Sequence, residues 1–274
     1  MDRDRMVLMD YDGTLLREGG LDRRALRLLE EMGERGVVRV LATGRSPFSL
    51  LRSLEGRPLP VDYLILSTGV GVVAASGWET VRSLSMGRRR LAEALEVLGE
   101  LDVDYSVHHP FPENHRFRYR SSERGPAEDL ERRLALYRGF HSEMTVDAEL
   151  PSEASQVVAI ASPRQGAALL ERVRDRLHPR MTVVRTTSPL DGESLWVELF
   201  PAGAGKGPAA AWLAELVRVC PADALAVGND YNDLDMLRWA GVRMVMEASP
   251  RRLLDLFDSA DSAGSALERW LGSW

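Results

Sequence analysis

Met6-Val7-Leu8-Met9-Asp10-Tyr11-Asp12-Gly13-Thr14 is the stretch that decides how this chain folds. Its apolar run shows no polar alternation, which suits a strand in a sheet covered on both faces. An acidic turn, Asp10 to Gly13, follows at once. Residues 22–35 come next, with Leu26, Leu29 and Met32 at helical spacing. A second apolar strand is predicted over 37–42, a helix over 46–54 and a third strand over 62–67. Strands separated by helices at this spacing require parallel pairing with right-handed crossovers.

The alternation returns late in the chain. It reads as a strand over 195–200, a helix over 206–219, a strand over 224–227, a helix over 233–239 and a strand over 244–246. Helices over 250–257 and 265–271 close it. The middle differs: a hairpin over 71–75 and 78–84, an amphipathic helix over 88–101 and strands over 105–109 and 116–120. A helix over 126–137, a strand over 156–161, a helix over 165–177 and a strand over 181–186 complete it. The expected class is α/β: a doubly wound, Rossmann-like parallel-sheet core from residues 1–80 and 190–274, with an inserted α+β domain over 81–189.

Composition narrows the function classes. The chain has 274 residues, 45% of them hydrophobic and 28% charged, the balance of a soluble globular protein. A net charge of -6 and the absence of a basic stripe argue against a nucleic-acid partner. No apolar run approaches the ~20 residues of a membrane span, and the N-terminus is no signal peptide. Cys220 is the sole cysteine, so no internal disulfide forms; it reads as a small buried hydrophobe in a cytoplasmic protein. Trp212 and Trp239 read as core residues, and Trp270 and Trp274 as part of a closing helix that packs on the sheet. Of 35 basic residues all but Lys206 are arginine. A lysine kept in so arginine-rich a chain points to a place where a compact ammonium is needed and a planar guanidinium does not fit.

In an open parallel sheet, ligands bind beyond the carboxyl ends of the strands. Asp10 to Thr14, Thr43-Gly44-Arg45-Ser46, Gly203-Ala204-Gly205-Lys206 and Gly228-Asn229-Asp230-Tyr231-Asn232-Asp233 all sit at such ends. Two carboxylates two positions apart repel unless a cation joins them, and hard oxygen ligands suit Mg²⁺. A phosphate monoester needs its charge offset before a carboxylate can attack it, by a divalent metal and a fixed ammonium such as Lys206. Asp12 is placed to protonate a leaving alkoxide and then activate water. Gly13 permits a tight turn with N–H groups aimed at a phosphate, and Thr43 and the Gly44 amide add donors.

These four segments resemble the four motifs of the haloacid dehalogenase (HAD) superfamily of phosphohydrolases. D-Y-D-G-T-L resembles the first, A-T-G-R the second, the lysine of G-A-G-K-G the third and G-N-D-Y-N-D the fourth. The insertion resembles a C2B cap, as in Cof-type and sucrose-phosphatase-like phosphatases. The resemblance implies that Asp10 is the nucleophile and Asp12 the general acid/base, whose backbone carbonyl also reaches the metal. It implies phosphate binding by Thr43, Gly44, Lys206 and Asn232, and a metal held with Asp233. The common fourth motif is G-D-x-x-N-D, so Asn229 stands where a metal-ligating aspartate is expected. Asp230 is the ligand in a competing register.

Substrate choice is expected to rest with the inserted domain. His108-His109-Pro110-Phe111-Pro112-Glu113-Asn114-His115 packs three of five histidines into one proline-stiffened loop. His109, Glu113, Asn114 and His115 are read there as sugar-hydroxyl contacts, with Arg45 as a second substrate contact at the rim. The partner is then a small phosphorylated metabolite, with phosphosugars the first class by analogy, and the protein is expected to be a monomer or homodimer. A trehalose-phosphate-type phosphatase or a phosphomutase uses the same aspartate. A glycosyltransferase with a metal-binding D-x-D leaves Thr43, Lys206 and the Asn-Asp cluster without work. A non-catalytic sugar-phosphate binder is the reading that Asn229 alone hints at.

Overall fold

The Met6–Asp10 strand is buried along its whole length because it has a parallel neighbour on each side. Val38–Ala42 pairs with it on one side, Met6 opposite Val38 and Asp10 opposite Ala42. Ala224–Gly228 pairs on the other, Met6 opposite Ala224. The computed structural model describes residues 4–273 apart from 124, 126, 146–148 and 189. Trp274 and the first residue of the helix predicted over 126–137 therefore lie outside the described residues, as does the start of the chain.

The residues form two compact units, one of 1–45, 50–82 and 205–274, the other of 46–49 and 83–204. In the first, eight strands run in the order Asp258–Ala260, Val242–Met246, Ala224–Gly228, Met6–Asp10, Val38–Ala42, Tyr63–Leu66, Gly71–Ala74, Glu79–Ser83. The first six are mutually parallel and Gly71–Ala74 is antiparallel to its neighbour. Met6 and Leu8 point into a core shared with Ala209, Leu213, Met236 and Leu237 of the helices Lys206–Val217 and Leu234–Trp239. The opposite face carries Arg23–Glu34 and Ala263–Leu271, which bury Leu29, Met32, Leu267 and Trp270. Asp22 caps the first of those helices and also reaches the first turn of the second, whose own cap is Ser262. Asp22 Oδ1 accepts from the Arg24 and Ala25 amides and its Oδ2 from the Gly264 amide, stabilising each N-terminus by about 1 kcal/mol. The sheet is thus wound on both faces, as expected.

The second unit is a six-stranded sheet in the order His141–Glu143, Phe117–Arg120, Asp104–His108, Gln156–Ala161, Leu195–Pro201, Met181–Thr187. Its neighbours are antiparallel except for the first pair. One face packs on Arg88–Glu100 and Pro163–Leu177 through Leu91, Leu98, Val107, Val157, Leu169 and Val197. The other carries Glu128–Leu136, with Leu130 against Val158, Ile160 and Trp196.

Several local expectations need correction. The strand predicted over 195–200 belongs to this second sheet, paired on both edges, and does not resume the first. The helix predicted over 250–257 stops at Leu254 and gives way to the strand Asp258–Ala260. Cys220 is exposed rather than buried. Arg218 ends the preceding helix in a left-handed conformation at φ 61°, which turns the chain outward before Pro221. Trp270 is buried, while Trp212 and Trp239 are only partly covered at the margin of the core. Among the described residues no helix is long and apolar enough to cross a membrane.

Candidate active site

Met6–Asp10 is where the strand order reverses: its neighbour on one side comes next in the chain and on the other side late. The loops beyond such a strand diverge and leave a crevice. Asp10, the last residue of the strand, is buried there. Lys206 reaches it from the first turn of Lys206–Val217, in a loop whose three preceding residues are Gly203, Ala204 and Gly205.

The Lys206 ammonium is fully buried and donates to Asp10 Oδ1 at 2.6 Å and to Asp233 Oδ1 at 2.6 Å. Burial alone lowers a lysine pKa, but the two carboxylates outweigh it and hold Lys206 above the ordinary range. Burial, and then the Asp233 charge, push Asp10 up to about 7 against the pull of Lys206. A guanidinium is wider and planar, and the enclosed point between two carboxylate oxygens suits an ammonium.

Asp233 is fully engaged. Its Oδ2 accepts from the amides of Asn229 at 2.9 Å and Asp230 at 3.1 Å, while Oδ1 holds Lys206. Both oxygens thus face donors within the protein. Gly228 lets the loop close on it, since a Cβ there would fall 2.7 Å from the Asp233 carboxylate. Asp230 turns away, its Oδ1 capping the short turn Tyr231–Asp233 through the Tyr231 amide. Asn232 is half-buried in that turn. Asn229 instead brings its amide to Asp10: one end of it lies 3.1 Å from Asp10 Oδ2 and 3.1 Å from the Asp12 carbonyl.

Among the described residues no three His, Cys, Asp or Glu side chains cluster as a metal site. The converging donors are of another kind: a carboxylate oxygen, a backbone carbonyl and an amide. All are hard oxygens when Oδ1 of Asn229 faces inward, and Mg²⁺ prefers such ligands at about 2.0–2.1 Å, whose neighbours then lie about 3 Å apart. The observed 3.1 Å separations match that spacing. Asp10, Asp12 and Asn229 therefore fit a magnesium ion.

The Asp12 side chain is half exposed and takes a two-pronged pair from Arg45, Nε to Oδ2 at 2.8 Å and Nη2 to Oδ1 at 2.6 Å. Arg45 also lies over the Tyr11 ring, 5.2 Å from its centre. It was expected to touch substrate; in this state it holds the carboxylate of Asp12. Gly13 has φ 82°, and a Cβ there would come within 2.1 Å of the Asn229 amide, so the position excludes side chains twice over. Thr43 is buried, its hydroxyl accepting from the Arg45 amide at 3.1 Å, and Gly44 is exposed beside it.

One strand end escaped sequence reasoning. Ser67, Thr68 and Gly69 follow Tyr63–Leu66 with three successive positive φ angles, 50°, 55° and 83°. The Ser67 and Thr68 amides donate to the carbonyls of Arg45 and Thr43. Gly69 lies against the Gly205 carbonyl, which a Cβ would approach to 2.1 Å. This turn ties the Thr43 loop to the lysine loop. Gly69 was its only sequence signal. Asp235 was also missed: its carboxylate accepts from the Gly207 amide at the start of the lysine helix.

On the second unit, His109, Glu113, Asn114 and His115 share the loop between Asp104–His108 and Phe117–Arg120. Asn114 is buried and its carbonyl accepts from His108 Nδ1 at 2.7 Å. Asn114 therefore helps shape the loop. Glu113 is exposed and pairs with Arg116 at 3.1 Å. His109 is exposed, and the His115 ring packs edge-on to Phe140 at 5.0 Å.

Comparison with known proteins gives concordant relationships. The sequence profile of the haloacid dehalogenase-like hydrolases matches residues 7–259. HMP-PP phosphatase of Cronobacter sakazakii is 29% identical over 259 residues, covering 92% of this chain and 88% of the relative. The 5-amino-6-(5-phospho-D-ribitylamino)uracil phosphatase YwtE of Bacillus subtilis is 22% identical over 258 residues, covering 89% and 87%. The solved structure of BT1666 from Bacteroides thetaiotaomicron, a HAD phosphatase, superposes with a TM-score of 0.76 at 17% identity, covering 98% of this chain and 94% of that one. The chain belongs to the haloacid dehalogenase-like hydrolases and is a phosphatase of the Cof type.

Proposed function

We propose that the protein is a Mg²⁺-dependent phosphatase that hydrolyses a small phosphorylated metabolite, a phosphosugar first, through an aspartyl-phosphate on Asp10. The carrying observation is the buried ammonium of Lys206 between Asp10 and Asp233, with the Asp12 carbonyl and Asn229 gathered at the other Asp10 oxygen. Asp10 attacks phosphorus and the ester P–O bond breaks. Asp12 gives its proton to the departing alkoxide, then takes one from the water that cleaves the aspartyl-phosphate and frees inorganic phosphate. Lys206, the Gly44 amide and Thr43 hold phosphate oxygens, and Asn232 lies at the same rim. Arg45 holds both oxygens of the Asp12 carboxylate, so this pair opens before Asp12 carries the proton. Asp10, the Asp12 carbonyl and Asn229 would hold magnesium, which would supply Lewis-acid offset of the phosphate charge. We assign substrate selection to the second unit as a C2B-type cap and place the enzyme in the cytoplasm.

The test is phosphate release from an aryl phosphate and from a panel of phosphosugars and HMP-PP, with Mg²⁺ or EDTA. Wild type releases phosphate only with Mg²⁺, and Asp10→Asn loses at least ~10³-fold. No release from any ester by wild type with Mg²⁺ sinks the reading. Beryllofluoride retained by wild type and not by Asp10→Asn checks the covalent step.

A further inference from the structure

We infer that the Asn229 amide has two working orientations, and that in the metal-free enzyme it takes the cation's place. With its nitrogen inward, Asn229 donates one N–H to Asp10 Oδ2 at 3.1 Å and the other to the Asp12 carbonyl at 3.1 Å. The opposite end of the amide then presents its oxygen to donors, so every polar atom of the group is satisfied. With the oxygen inward, it lies 3.1 Å from both Asp10 Oδ2 and the Asp12 carbonyl oxygen, a spacing that is repulsive without a cation and suitable with one. A half-turn of one side-chain torsion interconverts the two. The backbone need not move, and it is pinned: the Asn229 amide N–H is bound to Asp233 Oδ2, and Gly13 packs against the side chain.

An aspartate cannot behave this way. Its oxygen would meet Asp10 Oδ2 at about the same distance with no proton to share, so its metal-free state is strained and its cation affinity high. Asn229 reverses both terms. It ties Asp10 to Asp12 before any cation arrives, and it gives the cation one charge fewer and two hydrogen bonds to break. A cavity of about 920 Å³, lined by Gly13, Asn229, Leu16, Asp22, Ala248 and Ser262 among others, opens on the amide. The chain is thereby built to be ordered without metal and to bind it weakly.

This inference rests on the magnesium reading above, and the experiment separates the two. Full-length wild type, Asn229→Asp and Asn229→Ala are stripped with EDTA, melted, and titrated with MgCl₂ by calorimetry. Both variants should melt several degrees below wild type without metal. Asn229→Asp should bind Mg²⁺ at least tenfold more tightly and gain more in Tm from it. In ¹⁵N spectra the Asn229 side-chain amide protons, identified by their loss in Asn229→Ala, should exchange slowly in the stripped protein and faster when Mg²⁺ saturates it. Metal-free melting of Asn229→Ala equal to wild type, equal Mg²⁺ affinity of wild type and Asn229→Asp, or amide exchange unmoved by Mg²⁺ overturns the two-orientation account and leaves the phosphatase standing. Absence of Mg²⁺ binding to all three proteins overturns the magnesium reading with it.

Discussion

Lys206 in the first unit and Arg133 in the second are both shut away from water, yet their surroundings are opposite. Lys206 lies between two carboxylates, each 2.6 Å away. Arg133 lies among rings: its guanidinium is 4.6 Å from the centre of Trp196, 5.4 Å from Phe117 and 5.6 Å from Tyr137. Its Nη2 meets His108 Nε2 at 3.2 Å, and among the described residues no acid pairs with it directly. The nearby acids have neutral donors of their own. Asp129 takes Ser188 and Trp196, and Glu198 takes Thr186 and Gln156. The first arrangement makes two buried carboxylates depend on one ammonium. The second spreads one cation over rings and a neutral histidine, with Arg133 Nε left without a partner among the described residues and the nearby acids held by neutral donors.

The largest effect should separate these two. Lys206→Met leaves two buried carboxylates without a cation and should cost about 3–5 kcal/mol, together with loss of phosphate release. Arg133→Met removes ring contacts but also a desolvated charge, and should cost only about 1–2 kcal/mol. Urea unfolding of both variants at pH 7.5 measures this; equal losses would break the contrast.

Next in size is the pH response of the second cluster. His108 donates Nδ1–H to the Asn114 carbonyl, so Nε2 is the acceptor for Arg133 and Ser106, and the ring is neutral. Burial, and then the Arg133 charge, push its pKa down to about 3. The unfolded ring takes its proton near 6.5 and the folded one does not, so the stability is present above that value and drains away as pH falls towards 3. Between pH 7 and 5 the His108 contribution should fall by about 2 kcal/mol, while Asp10, pushed up to about 7, changes stability in the opposite sense over the same window. The difference in urea-midpoint slope between wild type and His108→Gln isolates the His108 part, and identical slopes would remove His108 from the account.

The smallest effect sharpens the first unit. Thr68 is β-branched and buried at φ 55°, a conformation that disfavours it. Thr68→Asn, which tolerates that region, should stabilise the protein by about 1 kcal/mol, raising Tm by about 2–4 °C. A fall in Tm would mean that the hydroxyl contributes more than the backbone strain costs.

How much of this was legible depended on whether the signal was local. Apolar runs at 6–9, 37–42 and 62–67 announced the parallel sheet, because a strand covered on both faces carries its evidence in its own residues. Asp10, Asp12 and Thr43 were readable because each follows such a run, and Lys206 because it is the only lysine in an arginine-rich chain. The strand Leu195–Pro201 has the same apolar look and lies in the other sheet; hydropathy reports burial and is silent about which neighbours provide it. Cys220 was misread because the turn at Arg218 depends on one left-handed residue. The Ser67–Gly69 turn and the work of Asp233 were hidden, since both are defined by atoms that meet only after folding. Arg45 was placed at the site by sequence, but its hold on Asp12 is a matter of side-chain reach.

The solitary lysine has a practical corollary for the bench. A lysine-specific protease has one internal cut site in this sequence, at the Lys206–Gly207 bond, and the side chain it must grip has no exposed surface. The folded protein should resist such a protease, and each unfolding event should yield the same two fragments on a gel. The same holds for amine-reactive dyes, whose only side-chain target is that one ammonium. The buried lysine thus doubles as an internal clock for opening of the first unit, readable on the purified protein without any substrate.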